Sequence, residues 1–382
     1  MLVQRLSTLL DFKKYLKELG VDSGGVAILK KKATSNLFYI KDMHVGAANI
    51  LKQDALSIGA DLAVPKGVVT AEKKRVDAIL IATTAQLEKL VQKELAQPFG
   101  LKDLSAQLKL HLNKATKATK ATKIMGVINA NDDSFYSASR FNTESAIVKI
   151  EQMIEDGADI IDVGAVSSKP NSVGVSELEE LERIKPIVDL IKQKKLYEKV
   201  AFSVDTYTPL VARYACENGF SIINDIKGFE SDELCKVASE FNAQAILMHM
   251  QGEPRNMQDN PKYDSILTDI SNFFQERIEK LNSFGVENIV LDVGIGFGKT
   301  LEHNLELIAN LEHFKMFHKE LLVGASRKSM IAKIVPSKSE ERLSGTLAIH
   351  LKAIDNGASI IRVHDVKEHY QAIRVNEAIK SV

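Results

Sequence analysis

Several features that would each point to a function are scarce or missing in this sequence. It holds two cysteines, Cys216 and Cys235, too few for a disulfide framework or a four-cysteine zinc site. They read as reduced thiols of a cytoplasmic protein. No apolar run approaches the roughly 18 residues that a membrane helix needs, and even the rich stretch 290–297 carries Asp292. We expect no secretory leader, because Asp11, Lys13 and Lys14 fall where its apolar segment should continue. Net charge is also absent, with 50 basic against 50 acidic side chains. What is present is ordinary globular material, 45% hydrophobic and 26% charged, which excludes wholesale disorder. A length of 382 residues suits one large domain or two.

The neutral total conceals a split. Residues 1–123 carry 21 basic and 11 acidic side chains, net +10, and the remainder carries 29 and 39, net −10. A step of that size suggests two units, and the run KATKATKATK from Lys114 to Lys123 reads as the linker between them. We divide the chain into a small α/β domain over 1–120 and a larger domain over 121–382. The basic half does not argue for nucleic acid, since its lysines are scattered and no zinc finger, RNA-binding sheet motif or basic helix accompanies them.

Periodicity distinguishes the halves. In the first, strands are expected at Gly25–Leu29, Leu37–Ile40 and Ala78–Ala82, with helices at Ala47–Ile58, Thr84–Leu95 and Leu101–Leu112. No cluster of catalytic residue types occurs there. The second half repeats a short apolar run, a polar loop and an amphipathic helix. Its strands are expected at Ile124–Ile128, Ile160–Val163, Ala201–Val204, Ser221–Ile223, Ala245–Met248, Ile289–Leu291, Leu321–Val323 and Ile360–Val363. Eight strands alternating with helices over about 250 residues predict a (β/α)8 (TIM) barrel preceded by a smaller α/β N-terminal domain. A doubly wound sheet would carry a glycine fingerprint after its first strand, and none is present.

In a barrel, chemistry gathers where strands end. The first strand is followed by Asn129 and the segment Asn131 to Phe135, the second by Gly164 to Pro170. Later strands end in Asp205, Asn224-Asp225, His249, Asp292, Ser326-Arg327-Lys328-Ser329 and Arg362-Val363-His364-Asp365. Any one of these could be a helix cap or turn residue, but together they set charged and amide groups around one mouth. Two motif look-alikes drop out. VGIGFGKT at 293–300 has valine where a Walker A loop needs its first glycine, and its glycines miss the dinucleotide spacing. They suit a tight loop whose backbone approaches a ligand. The histidines form no zinc-binding pattern.

In chain order, the segments IMGVINANDDSF, GADIIDVGAVSSKP, FSVDT, IINDIKG, ILMHMQGEPRNMQ, IVLDVGIGFGKT, LVGASRKSMI and IIRVHDV resemble the dihydropteroate synthase family over about two thirds of the chain. The resemblance implies an enzyme of folate biosynthesis and a sulfonamide target. It would condense 6-hydroxymethyl-7,8-dihydropterin diphosphate with 4-aminobenzoate, release diphosphate and use Mg²⁺, as a cytoplasmic homodimer binding neither nucleic acid nor membrane.

By the same resemblance, Asp205, Asn224, Met248, Asp292, Phe297, Lys328 and Arg362 bind the pterin. Asn129, Ser168, Arg362 and His364 bind diphosphate, with Asn129 also the metal ligand. Phe135, Ser168, Pro170, Phe297 and Ser329 surround 4-aminobenzoate, and Asp205, Asp133, Lys328, Arg362 and His364 carry catalysis. The chemistry is coherent, because an amidine-like pterin edge calls for a buried carboxylate and a diphosphate calls for clustered donors. Arg362 and His364, two apart, should share a face of the last strand. Departures from the family pattern fall in the loops: Asn131-Asp132 stands for Thr-Pro, Val166 for Glu, Ser168 for Thr, Lys169 for Arg, Asn171 for Gly and Val293 for Pro. The alternatives are a methyltetrahydrofolate-binding methyltransferase barrel, against which Arg362, His364 and Asn129 argue, and a non-catalytic pterin-binding protein. The N-terminal domain is expected to serve packing or oligomerisation in preference to a second activity.

Overall fold

The computed structural model describes residue 3 and residues 12–112, 121–129, 140–165 and 175–380. It resolves into two compact units, one comprising Met1–Thr116 with Glu377–Val382, which takes in the last turn of the C-terminal helix, and one spanning Lys117–Asn376. Among the described residues no helix is long and apolar enough to cross a membrane.

The N-terminal unit runs α1 (Phe12–Glu18), α2 (Ser23–Ala33), β1 (Ser35–His44), α3 (Val45–Ser57), β2 (Asp61–Ala63), β3 (Arg75–Thr83), α4 (Thr84–Glu94) and α5 (Leu101–Leu112). Its strands form an antiparallel sheet in the order β1-β3-β2. Val76, Ala78, Leu80 and Ala82 of β3 pack with Ala48, Leu51, Leu87, Leu90 and Leu108 of the helices. The alternate residues Leu37, Tyr39, Ile79 and Ile81 face outward, as the two-residue strand period requires. One expectation fails here. Gly25–Leu29 is not a strand but part of α2, because Asp22 caps the helix by accepting the Gly25 N–H at 2.8 Å and the apolar run is completed by three lysines in the last turn. A five-residue apolar run fits either structure, and the cap decides.

The second unit runs β4 (Lys123–Asn129), α6 (Arg140–Glu155), β5 (Ile160–Gly164), α7 (Glu177–Gln193), β6 (Ala201–Asp205), α8 (Pro209–Glu217), β7 (Ile222–Asp225), α9 (Asp232–Glu240), β8 (Gln244–Met248), α10 (Ile266–Ser283), β9 (Ile289–Asp292), α11 (Leu301–Ala309), β10 (Glu320–Val323), α12 (Ser329–Ile334), α13 (Leu343–Asp355), β11 (Ile360–Val363) and α14 (Val366–Lys380). The eight strands are parallel and close into a barrel in the order β10-β11-β4-β5-β6-β7-β8-β9. This is the expected (β/α)8 architecture.

Two apolar layers follow from the strand period. Ile161, Val163, Phe202, Val204, Ile223, Leu247, Leu291, Val323 and Ile361 pack outward with the helices. Inside the barrel, Met125, Ile160, Ala201, Ile222, Ile246, Val290, Leu322 and Ile360, one from each strand, form a separate plug. The interior is therefore a packed core rather than a pore. It also fixes what comes above it, because a step of two along a strand returns to the same face.

Candidate active site

Stepping two residues beyond the plug leads to Val127, Asp162, Ser203, Asn224, Met248, Asp292, Gly324 and Arg362. A further step reaches Asn129, Asp205 and His364. The plug seals the barrel from below, and this layer carries its buried charge.

Arg362 is the hub. Its Nε donates to Asp162 Oδ2 and its Nη2 to Asp205 Oδ2, both at 2.6 Å. Asn224 Nδ2 donates to the same Asp162 oxygen at 3.1 Å. Asn224 Oδ1, Asp162 Oδ1 and Ser203 Oγ are buried without a hydrogen-bond partner among the described residues. Buried polar atoms of this kind are costly unless something bonds to them, so they offer acceptors to a ligand that brings N–H groups. Asp292, also buried, accepts the Gly294 N–H at 2.8 Å.

The loop after β9 needs its glycines. Gly294 has φ +67°, and a Cβ there would lie 1.9 Å from the His249 carbonyl oxygen; at Gly298, φ +61°, it would lie 2.3 Å from that of Gln251. The β8 and β9 loops thus touch backbone to backbone, which only glycine permits. Lys299 fastens them: fully buried, its Nζ donates to Phe297 O at 2.9 Å and to His249 O at 3.2 Å, and lies 3.0 Å from His249 Nδ1. Lys328, at the head of α12, donates to Ile295 O and sits 4.3 Å above the Phe297 ring, a cation–π contact.

Around the rim, His364 donates its N–H to Ser326 Oγ at 3.3 Å and sets Nδ1 2.9 Å from it. Arg327 grips Asp365 with two bonds of 2.9 and 2.6 Å. The buried Glu180 accepts from the hydroxyls of Thr206 and Thr208 at 2.5 and 2.6 Å, which fixes the β6 loop.

The electrostatics reflect burial of opposed charges. Desolvation pushes the Asp205 carboxyl up to about 7; Arg362 pulls it down, while Asp162, Glu180 and Asp225 push the same way as burial. Burial likewise raises Asp292, against the Gly294 N–H and Lys328. Lys328 falls to about 8 through desolvation, partly offset by Asp292. Loss of water works against the Arg362 charge, yet Asp162 and Asp205 hold it above the usual guanidinium range. Desolvation and then Arg362 lower His364 to about 4, although the residue lies exposed at the rim.

The structure brings Asp205, Asn224, Met248, Asp292, Phe297, Lys328 and Arg362 to one end of the barrel. Asn129 ends β4 half-buried, His364 follows β11, and Ser329 opens α12 as an exposed residue. Asp133, Phe135, Ser168 and Pro170 lie outside the described residues. The sequence reading missed Asp162, Glu180 and Lys299. Asp162 was legible as the residue two beyond Ile160 on a strand whose inner face is buried; Glu180 and Lys299 act across loops and leave no spacing signal. The Asn224-Asp225 pair divides, since Asp225 accepts the Lys227 and Phe229 N–H groups at 2.7 Å and shapes its own loop. Among the described residues no group of three or more His, Cys, Asp or Glu side chains could hold a metal ion.

An arginine between two aspartates, an amide with an open acceptor, a further, buried carboxylate and a lysine over an aromatic ring gather groups that suit a flat, nitrogen-rich ring carrying an anionic group. The family model described as pterin binding enzyme matches residues 125–364, and the chain belongs to that family. Within it, the chain is 44% identical over 261 residues to the dihydropteroate synthase of Escherichia coli, covering 68% of this chain and 92% of the relative. It is 42% identical over 381 residues to a Helicobacter pylori protein named bifunctional dihydropteroate synthase/dihydropteroate reductase, covering 100% and 99% of the two chains. Among solved structures, the Yersinia pestis dihydropteroate synthase in complex with a sulfonamide drug superposes with a TM-score of 0.65 at 38% identity, over 70% of this chain and 97% of that one.

Proposed function

We propose that the protein is a transferase, a dihydropteroate synthase, joining 4-aminobenzoate to 6-hydroxymethyl-7,8-dihydropterin diphosphate to give 7,8-dihydropteroate and diphosphate. The observation that carries this is the Asp162–Arg362–Asp205 cluster with the open Asn224 acceptor beside it. In this reading Asp292 receives the amidine-like edge of the pterin, Asn224 and Asp205 receive further ring N–H groups, and Lys328 donates to the ring carbonyl. Met248 and Phe297 contribute apolar surface.

The C–O bond to diphosphate breaks with its electron pair leaving on the diphosphate oxygen, and the methylene cation so formed is stabilised by the Asp205 carboxylate. The aryl amine then forms the C–N bond and loses a proton. Arg362, with its charge secured by two carboxylates, and His364 face the departing diphosphate. Asp133, Phe135, Ser168, Pro170 and Ser329 would complete the benzoate side and exclude water.

Mg²⁺ fits the donor set: the ion keeps most of its waters and is bound by one or two protein oxygens plus substrate phosphates. The Asn129 amide supplies one hard oxygen at a strand end, and the ion would neutralise the diphosphate. We assign the protein to the cytoplasm, supported by its two buried, free thiols, and expect a homodimer on family resemblance alone, which sedimentation tests. Diphosphate release that requires both pterin diphosphate and 4-aminobenzoate tests the main proposal; pterin binding without release would indicate a non-catalytic binder, and methyl transfer from methyltetrahydrofolate the other barrel chemistry.

A second activity is favoured by one observation. The Helicobacter relative matches this chain over its N-terminal unit as well as its barrel. We infer that the N-terminal unit contributes a reduction of dihydropteroate, in which a reduced nicotinamide or flavin donor delivers a hydride to the ring C=N bond and water supplies the second proton. Loss of dihydropteroate absorbance on adding such a donor tests it.

A further inference from the structure

Behind the β10 and β11 loops lies a pair of imidazoles that the chemistry above does not use. His350 on α13 and His369 on α14 are each 1% exposed, and they belong to one continuous chain of hydrogen bonds. The Ala325 N–H donates to His350 Nε2 at 3.0 Å. His350 Nδ1 lies 2.9 Å from His369 Nε2, and His369 Nδ1 lies 2.6 Å from the Asp365 carbonyl oxygen. The two ends fix every proton between them. A carbonyl can only accept, so His369 Nδ1 carries hydrogen and its Nε2 accepts; His350 Nδ1 therefore donates, and its Nε2 is bare to receive Ala325 N–H. Both rings are neutral and each is held in one tautomer.

The chain closes on itself. Asp365 carries the carboxylate that grips Arg327, and the Arg327 N–H donates at 3.0 Å to Thr346 Oγ1, one turn before His350 on α13. Arg327 is held at φ +56°, a conformation that side chains other than glycine resist unless their surroundings enforce it. The residues on either side of it are Ser326, bonded to His364, and Lys328, which lies over Phe297. Burial holds both imidazoles below their usual range, in keeping with the neutral forms that the geometry demands. An apolar pair of similar size would fill this space without the need to satisfy four ring nitrogens.

We propose that His350 and His369 are positioning residues that lock the β10 loop so that Lys328 and Ser326 face the site, a role that rests on reading that site as the pterin diphosphate pocket. The test separates the two ends of the chain at one position. In His350→Gln the amide oxygen takes the place of Nε2 and still accepts from Ala325; in His350→Asn the amide takes the place of Nδ1, so the bond to His369 survives and the Ala325 N–H is stranded; His350→Leu removes both. The expected result is a rise of about tenfold in KM for pterin diphosphate in the Asn and Leu variants, the scale of one stranded buried N–H. The Gln variant should stay near wild type, and all three should keep kcat and the KM for 4-aminobenzoate within about twofold. Equal behaviour of the Gln and Asn variants, or losses that follow thermal stability alone, would overturn the proposal. If the wild-type protein releases no diphosphate, the functional reading fails separately. Calorimetric titration of inorganic diphosphate into the four proteins then decides the positioning role, by the same about tenfold weakening in the Asn and Leu variants and not in Gln.

Discussion

The two units handle polar groups in opposite ways. In the barrel, charged and amide side chains are concentrated in the layer above the plug, where Asp162, Asp205 and Asn224 gather with Arg362 and Asp292 lies buried. Among the described residues of the N-terminal unit, the buried core is apolar apart from Glu94 and Ser105. Both obey the same strand period, so the difference is one of closure. A closed barrel turns one face of every strand inward and leaves that face open at one end, where polar side chains from many strands converge. A three-stranded sheet covered on one face has no such mouth: its inner residues are consumed by helix packing, and its other face shows Leu37, Tyr39, Ile79 and Ile81 to solvent.

The largest test of this contrast removes one charge from the convergent layer. Asp205→Asn keeps shape but leaves the cation formed at the pterin methylene without its carboxylate, and should lower kcat by about 10²–10³, the scale of losing a preorganised electrostatic partner. Steady-state turnover at saturating substrates measures it; a rate near wild type would remove Asp205 from the mechanism.

Next in size is pH. Asp205 acts as a carboxylate but is raised to about 7, so activity is lost as pH falls through that value. Lys328 acts as an ammonium but is lowered to about 8, so activity is lost as pH rises through it. A narrow bell in kcat/KM follows, each limb falling about tenfold per pH unit beyond its midpoint. The acid limb belongs to the Asp162–Asp205–Arg362 cluster as a whole. Profiles taken with Lys328→Arg should lose the alkaline limb.

Smaller still is the effect of the N-terminal unit on the synthase. The Escherichia coli relative aligns with 261 residues of this chain over 92% of its own length, so the barrel has what it needs for the first reaction. Truncation near Lys120 should leave diphosphate release within a factor of about three and abolish any reduction of dihydropteroate. Loss of both would mean that the barrel depends on the other unit.

How much of this was legible follows from the same period. All eight barrel strands were readable, and with them the strand ends that gather at the mouth, because a buried strand bounded by polar loops leaves a local signature. Asp162 was overlooked inside an apolar run, where only the step of two from Ile160 reveals that it faces the interior. Lys299, Glu180 and the His350–His369 pair could not be read, since each bonds to groups 19 or more positions away, or to a backbone carbonyl that the sequence does not display. The misplaced strand at Gly25–Leu29 fails for the opposite reason: its local pattern was ambiguous, and one capping bond from Asp22 resolved it.

The smallest expected effect probes Glu94, among the described residues the one ionisable side chain buried in the N-terminal core. Glu94 is fully buried, neither of its oxygens has a partner among the described residues, and burial, reinforced by Asp54, raises it to about 7. Asp54 is itself held by Lys93 at 2.7 Å and Gln97 at 3.1 Å. A carboxyl raised in the folded state favours folding fully only below its unfolded value of 4.5, and that contribution is lost as pH rises through about 7. Glu94→Gln mimics the protonated acid at every pH. At pH 5 the variant and wild type should melt together, whereas at pH 8 the variant should be more stable by on the order of 2 kcal/mol, a shift of roughly 5–10 °C for a unit of this size. Melting curves of the full chain at the two pH values measure the difference. A gap that does not widen with pH would mean that Glu94 is charged in the folded protein, and that this core, like the barrel, supports a buried carboxylate.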